Sequence, residues 1–412
     1  MNRFLVFGMV MLLLDFYFFR AIKTLTDQLW VYRVYWIIDI LVILAILAFI
    51  ILEKSNVELS PTVRNAILAA VFLTLIPKLV GVTVLFSEDI VRIAVAGFKW
   101  CYQVFFGSRA ESDFIPERRK FVSQLALGLA AISFMGMVYG VVKGKYNYQV
   151  HRVRLKLANL PKAFHGLTIT QISDIHAGSF DSHEDVERGV KIINEQASDL
   201  ILFTGDLVNT QAKEMNPWKD LFSSLEAPLG KLSILGNHDY GDYHEWDSQK
   251  AKQANLEAVK HMHGEIGFNL LLNQHMRIQQ GNDSIVIAGV ENWGKNGFQK
   301  YGDLDKALAE VENDDLVILL THDPTHWDEK VLSHEKHVAL TLSGHTHGMQ
   351  MGVEIPGFRW SPSQLIYKRW AGLYEQQAKY LYVNRGFGFL GYPGRVGILP
   401  EITVITLESE ES

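Results

Sequence analysis

Leu167-Thr168-Ile169-Thr170-Gln171-Ile172-Ser173-Asp174-Ile175-His176 decides how this chain is read. A short run rich in β-branched residues ends in a polar tetrad, which predicts a strand with Asp174 and His176 at its end. The arrangement recurs down the chain. Thr204-Gly205-Asp206 follows Leu200–Phe203, and Gly236-Asn237-His238-Asp239 follows Leu232–Leu235. Thr321-His322 follows Leu316–Leu320, and Ser343-Gly344-His345-Thr346-His347 follows Val338–Leu342. Alternate side chains of an extended segment point the same way, so Asp174 with His176, and His345 with His347, can each reach one point. Seven such Asp, Asn and His groups converging would make a two-metal site. The palette suits Mn, Fe or Zn rather than Ca or Cu.

Outward from these blocks, helices are expected at Glu184–Glu195, Trp218–Leu225 and Gln249–His261. Further strands are expected at Ile285–Val290, Tyr380–Val383 and Ile402–Leu407, and residues 143–165 read as a linker with a first strand. Strands that alternate with helices early and cluster later predict an α/β domain over residues 166–412, with two packed β-sheets flanked by helices in four αββα layers.

Residues 1–142 have a different composition and predict an α-helical transmembrane region with about four spans, at Phe4–Phe19, Tyr35–Leu52, Ala66–Phe86 and Phe121–Val142. Charges inside such runs are costly and are usually paired. Asp15 with Lys78 is the expected pair, whereas Asp39, near a span end, can reach the interface. Residues 87–115 read as an amphipathic interfacial helix or a packed connector. Nine Lys and Arg residues flank the spans on one side and three on the other. Under the positive-inside rule this places both termini outside the cytoplasm, although Lys143, Lys145, Arg152, Arg154 and Lys156 weaken the bias. Arg118-Arg119 ahead of the last span resembles a twin-arginine export signal.

The net charge of -6 has its acidic excess in the second half, which argues against a nucleic-acid partner. Cys101 is the only cysteine, so no intrachain disulfide can form. Taken singly, the site residues have structural readings: Asp174 as a helix cap, Asp239 as a turn or cap residue, His322 as a buried structural histidine. Those readings do not explain five such blocks in order.

Over roughly residues 165–408 the chain resembles the calcineurin-like metallophosphoesterases, and the multispan N-terminus resembles their membrane-bound branch. The resemblance implies two divalent metal ions. Asp174, His176 and His347 would hold the first, Asp206 would bridge, Asn237, His322 and His345 would hold the second, and His238 would protonate the leaving oxygen. It also makes Arg395, in the late Tyr392-Pro393-Gly394-Arg395 loop, a candidate phosphate contact. Two departures stand out. Asn209 occupies a place that is often acidic, so it can hydrogen-bond the catalytic histidine but brings no charge. Met349 stands where a second glycine usually follows the Gly-His-x-His block. His244 and His326 are further candidates for substrate contact, and Tyr240, Tyr243 and Trp246, in a helical stretch from Tyr240 to Gly267, could meet acyl chains.

The expected activity is hydrolysis of a phosphodiester or pyrophosphate bond by metal-bound hydroxide. The spans suggest a lipid-linked substrate and a catalytic domain outside the cytoplasm. The alternatives are a cytoplasm-facing UDP-2,3-diacylglucosamine pyrophosphatase of lipid A biosynthesis, a non-enzymatic metal-binding membrane scaffold, and a transporter with a regulatory domain.

Overall fold

A computed structural model describes residues 2–55, 57, 59–107, 116–295 and 297–410. The chain divides into two compact units, Met1–Tyr139 and Gly140–Ser412.

The first unit is helical, with α1 (Asn2–Leu25), α2 (Leu29–Lys54), α3 (Pro61–Phe106) and α4 (Pro116–Val142). Among the described residues, three helices are long and apolar enough to cross a membrane: Leu29–Leu52, Pro61–Phe106 and Glu117–Val142. The stretch expected as a first span, Phe4–Phe19, lies in α1, which is not one of the three. Local chemistry sets the ends of α3. Ser60 Oγ accepts from Val63 N, Pro61 opens the helix, and Gly107 closes it with a left-handed backbone. The expected separate element at residues 87–115 is not separate, because residues 87–106 continue α3. Residues 108–115, including Arg109, lie outside the described residues. Lys78 pairs with Asp15 at 2.7 Å, as expected, but also with Asp39. Asp39 is therefore buried on the lysine and does not reach toward an interface. One ammonium shared by two carboxylates keeps all three charges hydrogen-bonded inside the bundle.

The second unit opens with β1 (Gln149–Leu157), β2 (Thr168–Ile172), α5 (His183–Asn194), β3 (Leu200–Phe203), α6 (Lys219–Ser223), β4 (Lys231–Ser233), α7 (Gln249–Glu265) and β5 (Asn269–Leu270). It continues with β6 (Gln274–Gln280), β7 (Asp283–Gly289), β8 (Val317–Leu320), β9 (Val338–Ser343), β10 (Val353–Ile355), β11 (Phe358–Trp360), β12 (Gly372–Gln376), β13 (Lys379–Val383) and β14 (Glu401–Ser409). One six-stranded sheet has the order β1-β14-β2-β3-β4-β5 and the other β12-β13-β9-β8-β7-β6. Period-2 alternation builds the layers. Leu200, Leu202, Ile285, Ile287, Ile318 and Leu320 fill the core between the sheets. Their neighbours Ile201 and Phe203 face outward onto α5 and α7 residues, and Val286, Val317 and Leu319 pack beneath Trp327 and Leu304. The four-layer αββα arrangement follows. In the first sheet β2, β3 and β4 run parallel, as do β7, β8 and β9 in the second, so the motif loops leave each sheet at its carboxyl edge.

His263 on α7 is fully buried, with Nδ1 2.9 Å from Ser233 Oγ and its ring stacked on Phe203. Burial pushes its pKa down to about 3. The unfolded chain binds a proton near pH 6.5 that the folded chain refuses, so stability is full above that pH and falls as the pH drops toward the folded value. Between pH 7 and pH 5 this one group costs about 2 kcal/mol. Thermal unfolding of the detergent-solubilised chain is expected to show a shallower acid limb in His263→Gln than in the wild type. Identical limbs would show that His263 does not control it.

Candidate metal centre

Hydrogen bonds between strand ends bring the motif loops together. Asp174 N donates to Gly205 O at 2.9 Å and His176 N to Asp206 O at 3.1 Å, tying the loop after β2 to that after β3. Gly344 N donates to His322 O at 3.0 Å, tying the loop after β9 to that after β8. His345 N reaches Asp174 Oδ2 at 3.0 Å, which joins the two pairs of loops. Five of the expected ligands have left-handed backbones, with φ of 53° at Asp174, 49° at His176, 60° at Asp206, 72° at His345 and 49° at His347. Each such residue costs of order 1–3 kcal/mol and persists because neighbouring structure holds it there.

Two glycines make room for the carboxylates. A Cβ on Gly344 would lie 1.9 Å from Ser173 Oγ and 2.2 Å from Asp174 Oδ2, and one on Gly236 would lie 2.2 Å from Asp206 Oδ1. This is the physical reason for a glycine at the head of each of these two blocks.

Two buried groups could each hold a metal ion, Asp174 with His176 and His347, and Asp174 with Asp206 and His322, their ligand atoms lying within 4.8 Å of one another. His347 Nε2 is 3.2 Å from Asp174 Oδ1 and 3.0 Å from His176 Nε2. Asp206 Oδ2 is 3.1 Å from His322 Nε2 and 3.5 Å from His176 Nε2. His322 Nδ1 donates to Thr204 O at 2.7 Å, which turns Nε2 into the cluster. Asn237 and His345 stand beside these groups, with His345 Nδ1 2.9 Å from Asn237 Oδ1.

The electrostatics fit a cation. Burial opposes the charged form of Asp174, yet the rings of His347 and His322 hold its carboxyl well below the usual range. Burial likewise opposes a charged His322, but Asp206 and Asp174 push its pKa up to about 10. The two carboxylates thus draw positive charge into a site closed to water, a demand that divalent ions with Asp, Asn and His ligands satisfy. Burial holds His176 and His345 below the ordinary histidine value, in the neutral form that a ligand needs.

His238 lies at the edge of the cluster, half-buried, its ring 4.9 Å from that of His176. Its Nδ1 donates to Asn209 O at 2.8 Å, leaving Nε2 for a substrate. The Asn209 contact is therefore made by the main chain, while the Asn209 side chain bonds Ser179 Oγ. Asp239 is a structural clamp, accepting from the N–H groups of Asp206, Leu207, Val208 and Gly236. Arg395 does not reach toward a phosphate. It is fully buried, donates to Gly388 O at 2.9 Å and meets His347 Nδ1 at 3.0 Å, so it seats that ring.

Met349 has φ 48°, a conformation a glycine adopts freely and a methionine does not. His326 packs behind the site, bonded to Thr321 Oγ1 and stacked on Trp293, and His244 is exposed against Trp246. Residues 241–248 are a turn followed by irregular backbone, and the helix expected from Tyr240 begins at Gln249. Tyr240 is buried against Tyr301 and so is not free for acyl chains, while Trp246 is half-buried with its indole N–H bonded to Gly241 O. Tyr243 is exposed, and its hydroxyl accepts from Asn237 Nδ2 at 2.9 Å. Tyr367, whose hydroxyl lies 2.9 Å from His345 Nε2, carries no signal in the sequence, because it sits 22 residues beyond the motif it supports.

A four-layer α/β fold with this donor set at its strand ends defines a metal-dependent phosphoesterase. The family model described as "Calcineurin-like phosphoesterase" matches residues 167–349, and "Probable Calcineurin-like phosphoesterase, transmembrane domain" matches residues 1–145. The uncharacterized metallophosphoesterase YkuE of Bacillus subtilis (strain 168) is 30% identical over 299 residues, covering 71% of this chain and 98% of its own length. The transmembrane protein with metallophosphoesterase domain of Danio rerio is 28% identical over 279 residues, 66% of this chain and 60% of that protein. The UDP-2,3-diacylglucosamine pyrophosphatase LpxG of Chlamydia muridarum (strain MoPn / Nigg) is 27% identical over 280 residues, 56% of this chain and 81% of that protein. The chain belongs to the calcineurin-like metallophosphoesterases and is a transmembrane member of them.

Gly344→Ala is expected to lower the metal content of the purified chain, read by inductively coupled plasma mass spectrometry, and to cost about 1–3 kcal/mol of stability through overpacking. Gly264→Ala, on α7 where a Cβ meets nothing within 4 Å, is the control: it should leave the metal content unchanged and, if anything, raise stability slightly. Full metal content in Gly344→Ala would mean that the loops yield easily.

Proposed function

We propose that this chain is a membrane-anchored phosphoesterase that uses two divalent cations to hydrolyse a phosphodiester or pyrophosphate bond of a lipid-linked substrate. The observation that carries the reading is the pair of buried three-residue groups sharing Asp174. Asp174, His176 and His347 would hold one ion, and Asn237, His322 and His345 the other. Asp206 would serve both, since its Oδ2 lies near His176 and His322. When bound, such a pair supplies a hydroxide nucleophile at neutral pH and neutralises the charge of the transferring phosphoryl group. His238, outside both groups and tethered through Nδ1, gives a proton from Nε2 to the leaving oxygen.

The similarity to LpxG, named for a lipid-linked pyrophosphate, favours UDP-2,3-diacylglucosamine as one substrate to try. The complete donor set stands against a purely scaffolding role, since His238 would then have no task.

The test is Mn²⁺-dependent hydrolysis of bis-p-nitrophenyl phosphate and UDP-2,3-diacylglucosamine by the purified full chain. Asp206→Asn is expected to abolish both activities. His238→Ala should cost roughly 10²–10⁴-fold with the lipid substrate and less with the aryl ester, because p-nitrophenolate leaves without a proton. Equal losses on the two substrates would remove His238 as the acid. No turnover of either substrate by a metal-loaded chain would remove the enzyme reading.

The positive-inside count supports a catalytic unit outside the cytoplasm, which counts against the cytoplasm-facing UDP-2,3-diacylglucosamine reading and favours another lipid-linked phosphate. An alkaline phosphatase fusion after Ser412 is expected to be active in a bacterial host. Fluorescence from a green fluorescent protein fused at the same point, with an inactive phosphatase fusion, would reverse the orientation.

A further inference from the structure

The β10–β11 ribbon inverts the burial pattern of the domain. Its register pairs Val353 with Trp360, Glu354 with Arg359 and Ile355 with Phe358. Val353, Ile355, Phe358 and Trp360 therefore share one face, and Glu354 and Arg359 the other. The charged face is the one held down. Glu354 accepts from Arg385 Nη2 at 2.5 Å, and the Arg359 guanidinium lies 5.2 Å from the Trp370 ring centroid. The apolar face is open, with Ile355 58% and Phe358 55% exposed. Leu365, 82% exposed, and Ile366 follow it closely in sequence and are also open. Among the described residues 149–409, the exposed large apolar and aromatic side chains outside 349–366 are only Tyr243, Tyr301 and Leu373. Exposed apolar residues scattered singly need no explanation, but a cluster in one segment marks a surface that something covers.

We propose that this face seats on a lipid bilayer surface, with the Pro356-Gly357 turn leading. The bilayer is the apolar phase that the chain occupies through its spanning helices. The composition matches an interfacial contact, with Phe358 and Trp360 as aromatic anchors and aliphatic residues beside them. The segment's charges are held by protein partners, Arg359 over Trp370, Lys368 and Arg369 with Asp328, and Glu354 with Arg385, so the contact rests on its apolar and aromatic side chains. The ribbon is also stitched to the metal ligands. Ser361 Oγ donates to Gly348 O at 2.5 Å and Thr346 Oγ1 to Trp370 O at 2.6 Å, on either side of His347. Tyr367, next to Ile366, reaches His345. A seated ribbon fixes how far the His345–His347 block stands from the lipid, so that a headgroup phosphate can meet the site without its acyl chains leaving the bilayer.

The test uses the full chain in nanodiscs with Cys101→Ser as background, and an environment-sensitive fluorophore attached through Phe358→Cys. Fluorescence is expected to shift to the blue relative to detergent-free denatured chain, to be quenched by brominated phosphatidylcholine, and to resist aqueous iodide. Quenching by iodide and not by the lipid would overturn the proposal. Shielding from both would mean that protein covers the face, a second copy of this chain included, and would overturn it too. The double variant Ile355→Ser/Phe358→Ser is expected to hydrolyse bis-p-nitrophenyl phosphate like the wild type but a bilayer-embedded substrate roughly tenfold more slowly. Equal rates on the embedded substrate would also sink it. Failure of the metal-site reading would instead appear as loss of hydrolysis of the soluble ester, leaving the quenching result untouched.

Discussion

Asp174 and Asp206 are carboxylates sealed from water within one cluster, and much of the catalytic unit's architecture serves to make that arrangement tenable. A buried anion costs several kcal/mol unless partners compensate it. Here imidazoles arrive from both sheets. Asp174, His176, Asp206 and Asn237 come from the sheet containing β2, β3 and β4, and His322, His345 and His347 from the sheet containing β8 and β9. The left-handed backbones, the side-chain-free positions at Gly236 and Gly344, and the Asp239 clamp on four main-chain N–H groups all hold the carboxylates close. Local strain at five ligands is tolerated because the strand-end hydrogen bonds on each side over-determine it.

What could be read from the sequence follows from the range of the forces involved. Strand alternation is local, so β2, β3, β7, β8, β9, β13 and β14 were legible within a residue or two. The ligand blocks were legible because each is a contiguous motif at a strand end. β6, β10, β11 and β12 were not, because Gln274–Gln280 and Val353–Trp360 carry polar or inverted patterns whose pairing partners lie elsewhere. The same limit explains Arg395 and Tyr367. An arginine in a late glycine-rich loop suggests an anion contact by type alone. Only the fold puts it behind His347, 48 residues away in sequence.

In the helical unit the apolar runs set the elements, but the polar positions depended on packing. Asp39 lies near the end of an apolar run, and that position says nothing of what faces it. With Lys78 already committed to Asp15, a second carboxylate on the same ammonium is not an obvious expectation. The length of α3 was similarly hidden. Residues 87–106 mix charges with apolar residues, and Ser87, Asp89 and Gly97 suggest a new element, yet α3 runs through all three without a break.

Because the candidate ligands come from two sheets, cations held by them would also fasten the sheets together. Cations that bind only the folded arrangement add their binding free energy to its stability. Without them, the same cluster holds the sheets' carboxyl edges together by a proton on His322 and by hydrogen bonds from His345 N to Asp174. The loop carrying His345 and His347 also carries the bonds to the β10–β11 segment, through Gly348 and Thr346. Two of the candidate ligands are thus tied to that segment, whereas Asp174, His176 and Asp206 belong to the other sheet. The geometry between the ligand halves, more than any single contact, is where events at the domain surface meet the chemistry of the site.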